Sequence, residues 1–254
     1  MDAELPEWVV EADMAHKRDE IFPLERAGKR YWFKRGRPTG STAIHALGYR
    51  LTGLPFLRPV ERKSATEAAA WEAAKLRRLG GKGLPVPAVV AEGEGFFVMG
   101  DRGEGLAGLL KRAGSGAPKR WLDGVADALA GLHRAGEYHG ASQIRNFVLA
   151  ETEAVGIIDF EESFDAESDL KALQFRDLFL LLYSLHRQRQ ETDYPALLQR
   201  YMEVSGNESF AEELHRLYRR FRWLAKLVER EGFRRRLGSD AEILHRLFES
   251  LKSR

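Results

Sequence analysis

The run His139-Gly140-Ala141-Ser142-Gln143-Ile144-Arg145-Asn146-Phe147-Val148-Leu149 and the later Gly156-Ile157-Ile158-Asp159-Phe160-Glu161 carry the side chains best suited to chemistry. Two apolar stretches, 147–149 and 156–158, flank six residues, Ala150 to Val155, which is the pattern of an antiparallel hairpin. Pairing 147 with 158, 148 with 157 and 149 with 156 sets Asn146 opposite Asp159, at a Cα separation of roughly 4.5–5.5 Å. An amide oxygen and a carboxylate then converge at one end of an apolar hairpin. Hard oxygens of this kind suit Mg²⁺, which takes one or two protein oxygens and completes its shell with phosphate and water. The same pair also suits a buried Asn–Asp hydrogen bond closing the hairpin, and spacing alone leaves both open.

Other chemistries find little support. The chain has no cysteine, which excludes disulfides, thiolate metal sites and thiol nucleophiles. Gly80-Gly81-Lys82-Gly83 lacks the upstream glycine and trailing Ser/Thr of a Walker loop. Ser142 has no glycine two positions later, so it is not a nucleophile elbow. His133 and His139 fall six apart with no H-E-x-x-H, an unconvincing zinc spacing. The 254 residues carry 40 Lys/Arg against 38 Asp/Glu, a formal charge of +2, so no overall charge points to nucleic acid. From Leu214 to Arg254, however, 12 Lys/Arg face five Asp/Glu. No recognition motif accompanies this basic tail, and no nucleic-acid partner is expected. The acidic amino terminus lacks the apolar core of a signal peptide. The longest uncharged apolar run, Leu178 to Leu182, is too short to span a bilayer. A cytoplasmic protein is the default expectation.

The elements that must position the Asn–Asp pair fall into two halves. Glu20–Arg26 and Arg30–Arg35 flank Gly28-Lys29 and predict a hairpin. Ala88–Ala91 and Phe96–Met99, separated by Glu92-Gly93-Glu94-Gly95, predict a second. Between them a helix is expected over 65–79, opened by the capping box Ser64-Ala65-Thr66-Glu67. On that helix Ala68, Leu79, Glu72 and Leu76 share an arc of about 80°, so Glu72 sits inside the apolar stripe. A carboxylate there is costly unless paired. In Arg30-Tyr31-Trp32-Phe33-Lys34-Arg35, Lys34 shares a strand face with Trp32, an apolar setting for an ammonium. Lys34–Glu72 is the obvious pair, although Trp32 alone would let the lysine stem snorkel and Glu72 also fits a core rim. Helices are expected near 119–135, 169–190, 193–204, 208–231 and 240–252, with Gly100–Gly116 as the joint.

His139-Gly140-x5-Asn146 followed by Ile158-Asp159-Phe160-Glu161 resembles the catalytic and metal-binding loops of protein-kinase-like phosphotransferases, and within them the bacterial lipopolysaccharide kinase group of Kdo and core-heptose kinases. The resemblance implies an α+β, two-lobed protein-kinase-like fold. An N-terminal lobe over 1–100 would hold a small antiparallel sheet and one helix, and 101–254 a mainly helical lobe ending in basic helices. It implies ATP and Mg²⁺, with Lys34 on the phosphates, Glu72 on Lys34, and Asn146 and Asp159 on the metal. Backbone groups of Met99, Gly100 and Asp101 would bind adenine, and Asp177 would brace the catalytic loop. The implied acceptor is a sugar hydroxyl of a lipopolysaccharide precursor, reached by a peripheral enzyme whose basic helices dock on an anionic membrane.

Two departures stand out. No G-x-G-x-x-G precedes Lys34. Ala141 occupies the position where the family pattern has the aspartate that accepts the proton of the attacking hydroxyl, a group worth roughly 10²–10⁴-fold in rate. Glu161, Glu162 or Asp101 are the carboxylates nearest in sequence logic to replace it. The alternative is a nucleotide-binding pseudokinase with a regulatory or scaffolding role.

Overall fold

Alternating side chains give the N-terminal sheet two apolar faces, and a helix covers each. The computed structural model describes residues 5–228 together with Ile243, Arg246, Leu247, Glu249 and Ser250. Strands β1 (Ile21–Arg26), β2 (Lys29–Arg35), β3 (Val89–Gly93) and β4 (Phe96–Gly100) form an antiparallel sheet in the order β1-β2-β4-β3. Phe33, Phe96 and Val98 point to one face, where helix α1 (Glu7–Ala15) adds Val9 and Ala12. Phe22, Phe33 and Phe96 stack there with ring centroids 4.8 and 4.5 Å apart. Phe97 and Met99 point to the other face, toward Ala69, Ala73 and Leu76 of α3 (Ala65–Gly81). Burying a phenylalanine as completely as Phe33 or Phe97 contributes about 2–3 kcal/mol.

The β1–β2 turn is Ala27-Gly28, not Gly28-Lys29, and both residues take positive φ (48° and 70°). A two-residue turn of this hand matches the twist of the strands, which is why Arg26 pairs Lys29. Helix α3 starts with the expected capping box, Ser64 N donating to Glu67 Oε2 at 2.8 Å and Glu67 N to Ser64 Oγ at 3.3 Å. A further helix, α2 (Ala43–Thr52), precedes it in a segment that sequence periodicity left unassigned.

The expected joint at 100–116 is largely structured. It holds β5 (Glu104–Gly105) and α4 (Leu106–Ala113), because Leu106 and Leu110, one helical turn apart, both reach the core. Helix α5 (Lys119–Arg134) follows, then β6 (Phe147–Leu149) and β7 (Val155–Ile157), which join β5 in a three-stranded sheet. Helices α6 (Leu170–Arg187), α7 (Tyr194–Ser205) and α8 (Ser209–Val228) complete the described order. The architecture is α+β with antiparallel sheets, the arrangement expected of a two-lobed protein-kinase-like fold. One apolar core runs from Leu76, Phe97 and Met99 through Leu129, Phe147 and Phe179 to Leu247.

The β6–β7 register corrects the sequence expectation. Phe147 pairs Ile157, Val148 pairs Gly156 and Leu149 pairs Val155, one residue off the anticipated pairing. The turn decides it: Glu153 N donates to Ala150 O, Ala150 N to Ala154 O, and Glu153 takes φ 61°. Gly156 then faces Val148, where any Cβ would meet Val148 Cγ2 at 3.1 Å and Pro85 O at 3.2 Å. Asn146 therefore lies opposite Ile158, whose N–H it accepts at 3.0 Å, and Asp159 begins the chain beyond the ladder.

The basic run Phe233–Arg236 and most of the helix expected at 240–252 lie outside the described residues, as do the side chains of Leu224, Leu227 and Val228. Of that segment, Leu247 is fully buried and Ser250 Oγ lies 3.0 Å from His186 Nε2 on α6. Within α8, Leu214 is buried and Leu217 half-buried, which fixes its inner face.

Candidate active site

Lys34 stands in the centre of the first sheet, paired to Ile21 on one side and Phe97 on the other. Glu72 stands on the stripe of α3 that packs on that face. The structure brings the two together: Lys34 Nζ lies 2.8 Å from Glu72 Oε1 and 2.7 Å from Oε2, with both residues buried. Asp159 Oδ1 approaches the same ammonium at 2.5 Å. Burial alone would lower the lysine's pKa, but the two carboxylates overcome it and hold Lys34 charged. Burial likewise works to raise Asp159, and Lys34 more than offsets it, leaving the carboxyl below its ordinary value. Glu72, fully enclosed, is pushed up by burial against the pull of Lys34. Arg37, which lines the same cleft, is a second cation acting on Asp159.

Asp159 takes φ 70°, a left-handed conformation that a non-glycine residue keeps only when its surroundings impose it. Here they do. The next residue, Phe160, donates its N–H to Glu72 Oε1 at 3.1 Å and stacks on His139 with centroids 4.5 Å apart. The preceding Ile158 offers its carbonyl to His139 Nε2 at 3.0 Å. Since Ala141 N donates to His139 Nδ1 at 3.1 Å, the network assigns the ring proton to Nε2. Burial depresses the His139 pKa to about 4, so the ring is a neutral strut.

Beneath the loop, Asp177 on α6 accepts His139 N–H at 2.6 Å through Oδ2 and Gly140 N–H at 2.8 Å through Oδ1. Burial would raise this carboxyl, but the hydrogen bonds from His133 and the loop amide hold it below its ordinary range. Asn146 donates Nδ2–H to Ala141 O at 2.8 Å, which fixes the amide and leaves Oδ1 as an acceptor. Asn146 and Asp159 line one cleft of about 220 Å³ with Lys34, Met99 and Arg37. Asn146 Oδ1 and the second oxygen of Asp159 are hard donors of the kind Mg²⁺ takes, so the residues fit that ion.

An apolar recess of about 180 Å³ adjoins the cleft and shares Ile21, Met99 and Ile158 with it. Trp32, Gly100, Asp101 and Val148 close its walls. The N–H groups of Gly100 and Asp101 are already spent, on Ala88 O at 2.9 Å and Arg30 O at 3.1 Å. The Asp101 carboxylate accepts Trp32 Nε1–H at 2.8 Å.

Around Ala141 no free carboxylate stands ready among the described residues. Glu161 pairs with Arg37 at 3.4 Å, and Glu162 with Arg176 at 3.0 Å. Burial raises the Glu162 pKa, against the pull of Arg176.

Two residues of this centre escaped the sequence reading. Lys75 is 1% exposed, its ammonium 3.9 Å from the Tyr138 ring centroid and donating to His139 O at 3.3 Å. The signal was present, since Lys75 is seven residues, two turns, beyond Ala68 and thus inside the same stripe. Arg37 follows the end of β2 and projects into the cleft, a position that no periodicity marks.

No family model matches the chain, and no curated protein matches it. Among solved structures, the chain is similar to the Rio2 kinase from Chaetomium thermophilum, at 17% identity over 96% of this chain and 77% of that chain, with a TM-score of 0.47. The same kinase in a complex with ADP, Mg²⁺ and phosphoaspartate aligns at 17% identity over 96% and 75%, with a TM-score of 0.44. The bifunctional kinase-methyltransferase WbdD aligns at 18% identity over 78% of this chain and 45% of that one, with a TM-score of 0.39. At such identities, any functional interpretation has to come from the chain's own geometry.

Proposed function

We propose that the cleft binds ATP with Mg²⁺ and that the chain moves the γ-phosphate to a hydroxyl. Lys34 holds the phosphates, Glu72 orients Lys34, and Asn146 and Asp159 hold the metal. The observation that carries this reading is one buried ammonium contacted by two carboxylates from separate elements. Taking three charges out of water costs several kcal/mol per ion, and a purely structural pair would need only one carboxylate. Asn146 Oδ1 and the Asp159 carboxylate are the oxygens a dication at the cleft would take. The apolar recess beside Met99, Gly100 and Asp101 offers the base a place, and Asp177 keeps the loop in register. Mg²⁺, when bound, would offset phosphate charge. In this division of the chain, 1–100 supplies Lys34 and Glu72, and 101–254 supplies Asn146, Asp159 and Asp177.

The acceptor we propose is a sugar hydroxyl of a lipopolysaccharide precursor, a choice supported by the sequence resemblance. No described helix is long and apolar enough to cross a membrane. Peripheral docking through the basic C-terminal helices belongs to the same proposal.

A second reading, nucleotide binding without turnover, is favoured by one observation: Ala141 offers no base, and Glu161 and Glu162 are engaged by arginines. Thermal-shift titration with ATP, with and without Mg²⁺, tests what the two readings share. Metal-dependent stabilisation that Lys34→Met and Asp159→Asn each abolish is expected. Equal shifts in both variants and the parent would sink the site. Release of phosphate from ATP then separates enzyme from pseudoenzyme.

A further inference from the structure

Away from the cleft, α2, the segment following it, α6 and α8 enclose a pocket of about 280 Å³. Arg58, Arg176, Arg216 and Arg220 line it, with Tyr49 and one acid, Glu213. Arg176 is the unusual member. It is 4% exposed, and its Nε and Nη1 have no hydrogen-bond partner. Its Nη2 stands 3.0 Å from Glu162 Oε2, and its Cζ lies 4.9 Å from the Phe164 ring centroid. Those two nitrogens are sealed from solvent, so Arg176 contributes its charge beneath the pocket while Arg58, Arg216 and Arg220 line it from two other elements.

We infer that this pocket is a second anion site that takes a phosphate or phosphomonoester group. A phosphoryl group brings close to two negative charges and three acceptor oxygens, the complement of a pocket lined by four arginines and one acid. Arg216, exposed on α8, and Arg58, whose Cζ lies 5.8 Å from the Tyr49 ring centroid, supply further charge from two other elements. The volume lies just under the usual range of ligand pockets and accommodates one phosphorylated group. The inference stands apart from the nucleotide reading, since none of these residues lines the Lys34 cleft.

Titration calorimetry of the full chain with inorganic phosphate at low salt tests it. Saturable binding is expected, weakened about tenfold or more by Arg216→Ala and again by Arg58→Ala, each loss removing one charge-assisted contact. Arg176→Gln should weaken it as well by removing a charge, and the two surface variants keep the test valid if that buried change disturbs folding. Arg120→Ala, at an exposed arginine outside both the pocket and the cleft, should leave phosphate binding unchanged. Equal loss in Arg120→Ala, or no effect of the pocket variants, would assign the phosphate to bulk charge or to the cleft and overturn the inference. Parallel sedimentation with phosphatidylcholine vesicles, with and without phosphatidic acid, separates the sources. Arginine-dependent binding to phosphatidic acid alone supports a lipid-borne phosphate, and to inorganic phosphate a soluble one. Absence of both overturns the site. Phosphate binding in a chain whose melting ignores ATP would keep this site and sink the nucleotide reading.

Discussion

Lys34 is the single cation between Glu72 and Asp159, so removing it leaves both carboxylates uncompensated. Lys34→Met should cost about 3–5 kcal/mol, the penalty of stranding buried charge, and should also lower nucleotide affinity. Denaturant midpoints of the variant check it, and a loss below about 1 kcal/mol would mean the pair is not closed in solution. His139 predicts an acid limb. Above pH 6.5 the ring is neutral in both states, and between 6.5 and about 4 only the unfolded chain takes the proton. Stability therefore falls as pH drops through that window, by about 1.4 kcal/mol per unit for this group. The slope measured by denaturation at several pH values should be shallower in His139→Gln. Lys75 acts with the same sign in a more alkaline window. Burial lowers its pKa from 10.5 to about 8, so the full cost of hiding the charge is present below pH 8 and is relieved as pH rises towards 10.5. Lys75→Met should raise the melting temperature at pH 7, with the gain shrinking above pH 8.

At the scale of elements, the loop from His139 to Asn146 is held from both ends. Asp177 holds the amides of His139 and Gly140, and Asn146 holds Ala141 O. Ala141→Asp should then insert a carboxylate into a preformed loop and raise phosphoryl transfer by up to about 10²–10⁴-fold. Turnover measured with radiolabelled ATP checks this. A variant that binds ATP as tightly as the parent yet stays silent would favour a regulatory protein. Helix α3 carries both Glu72 and Lys75, so its start matters to the site. Ser64→Ala removes the capping box and should cost about 0.5–2 kcal/mol in denaturation, with Glu72 still in place.

At the scale of the molecule, one apolar core joins α3 and β4 to α5, α6 and α7. The two halves proposed as lobes thus share buried surface instead of meeting through a wet interface. A single calorimetric transition is expected, with van't Hoff and calorimetric enthalpies equal. Two resolved transitions would show that the halves fold separately.

Local chemistry fixed much of this in the sequence. The capping box and stripe of α3 placed Glu72 on a buried face, and the alternation around Lys34 placed an ammonium beside Trp32, because helix and strand periods are properties of the chain itself. The pairing of apolar runs announced the β6–β7 hairpin. Its register did not follow, because Glu153's left-handed turn and the lack of a side chain at Gly156 outweighed the hydrophobic count. Only tertiary structure brought Asp159 onto Lys34 across 125 positions of chain. It alone turned Lys75 into a buried support and assembled arginines from three distant segments around one pocket. Such contacts depend on how whole faces dock, and a docking geometry is a sum over many residues that no single spacing records.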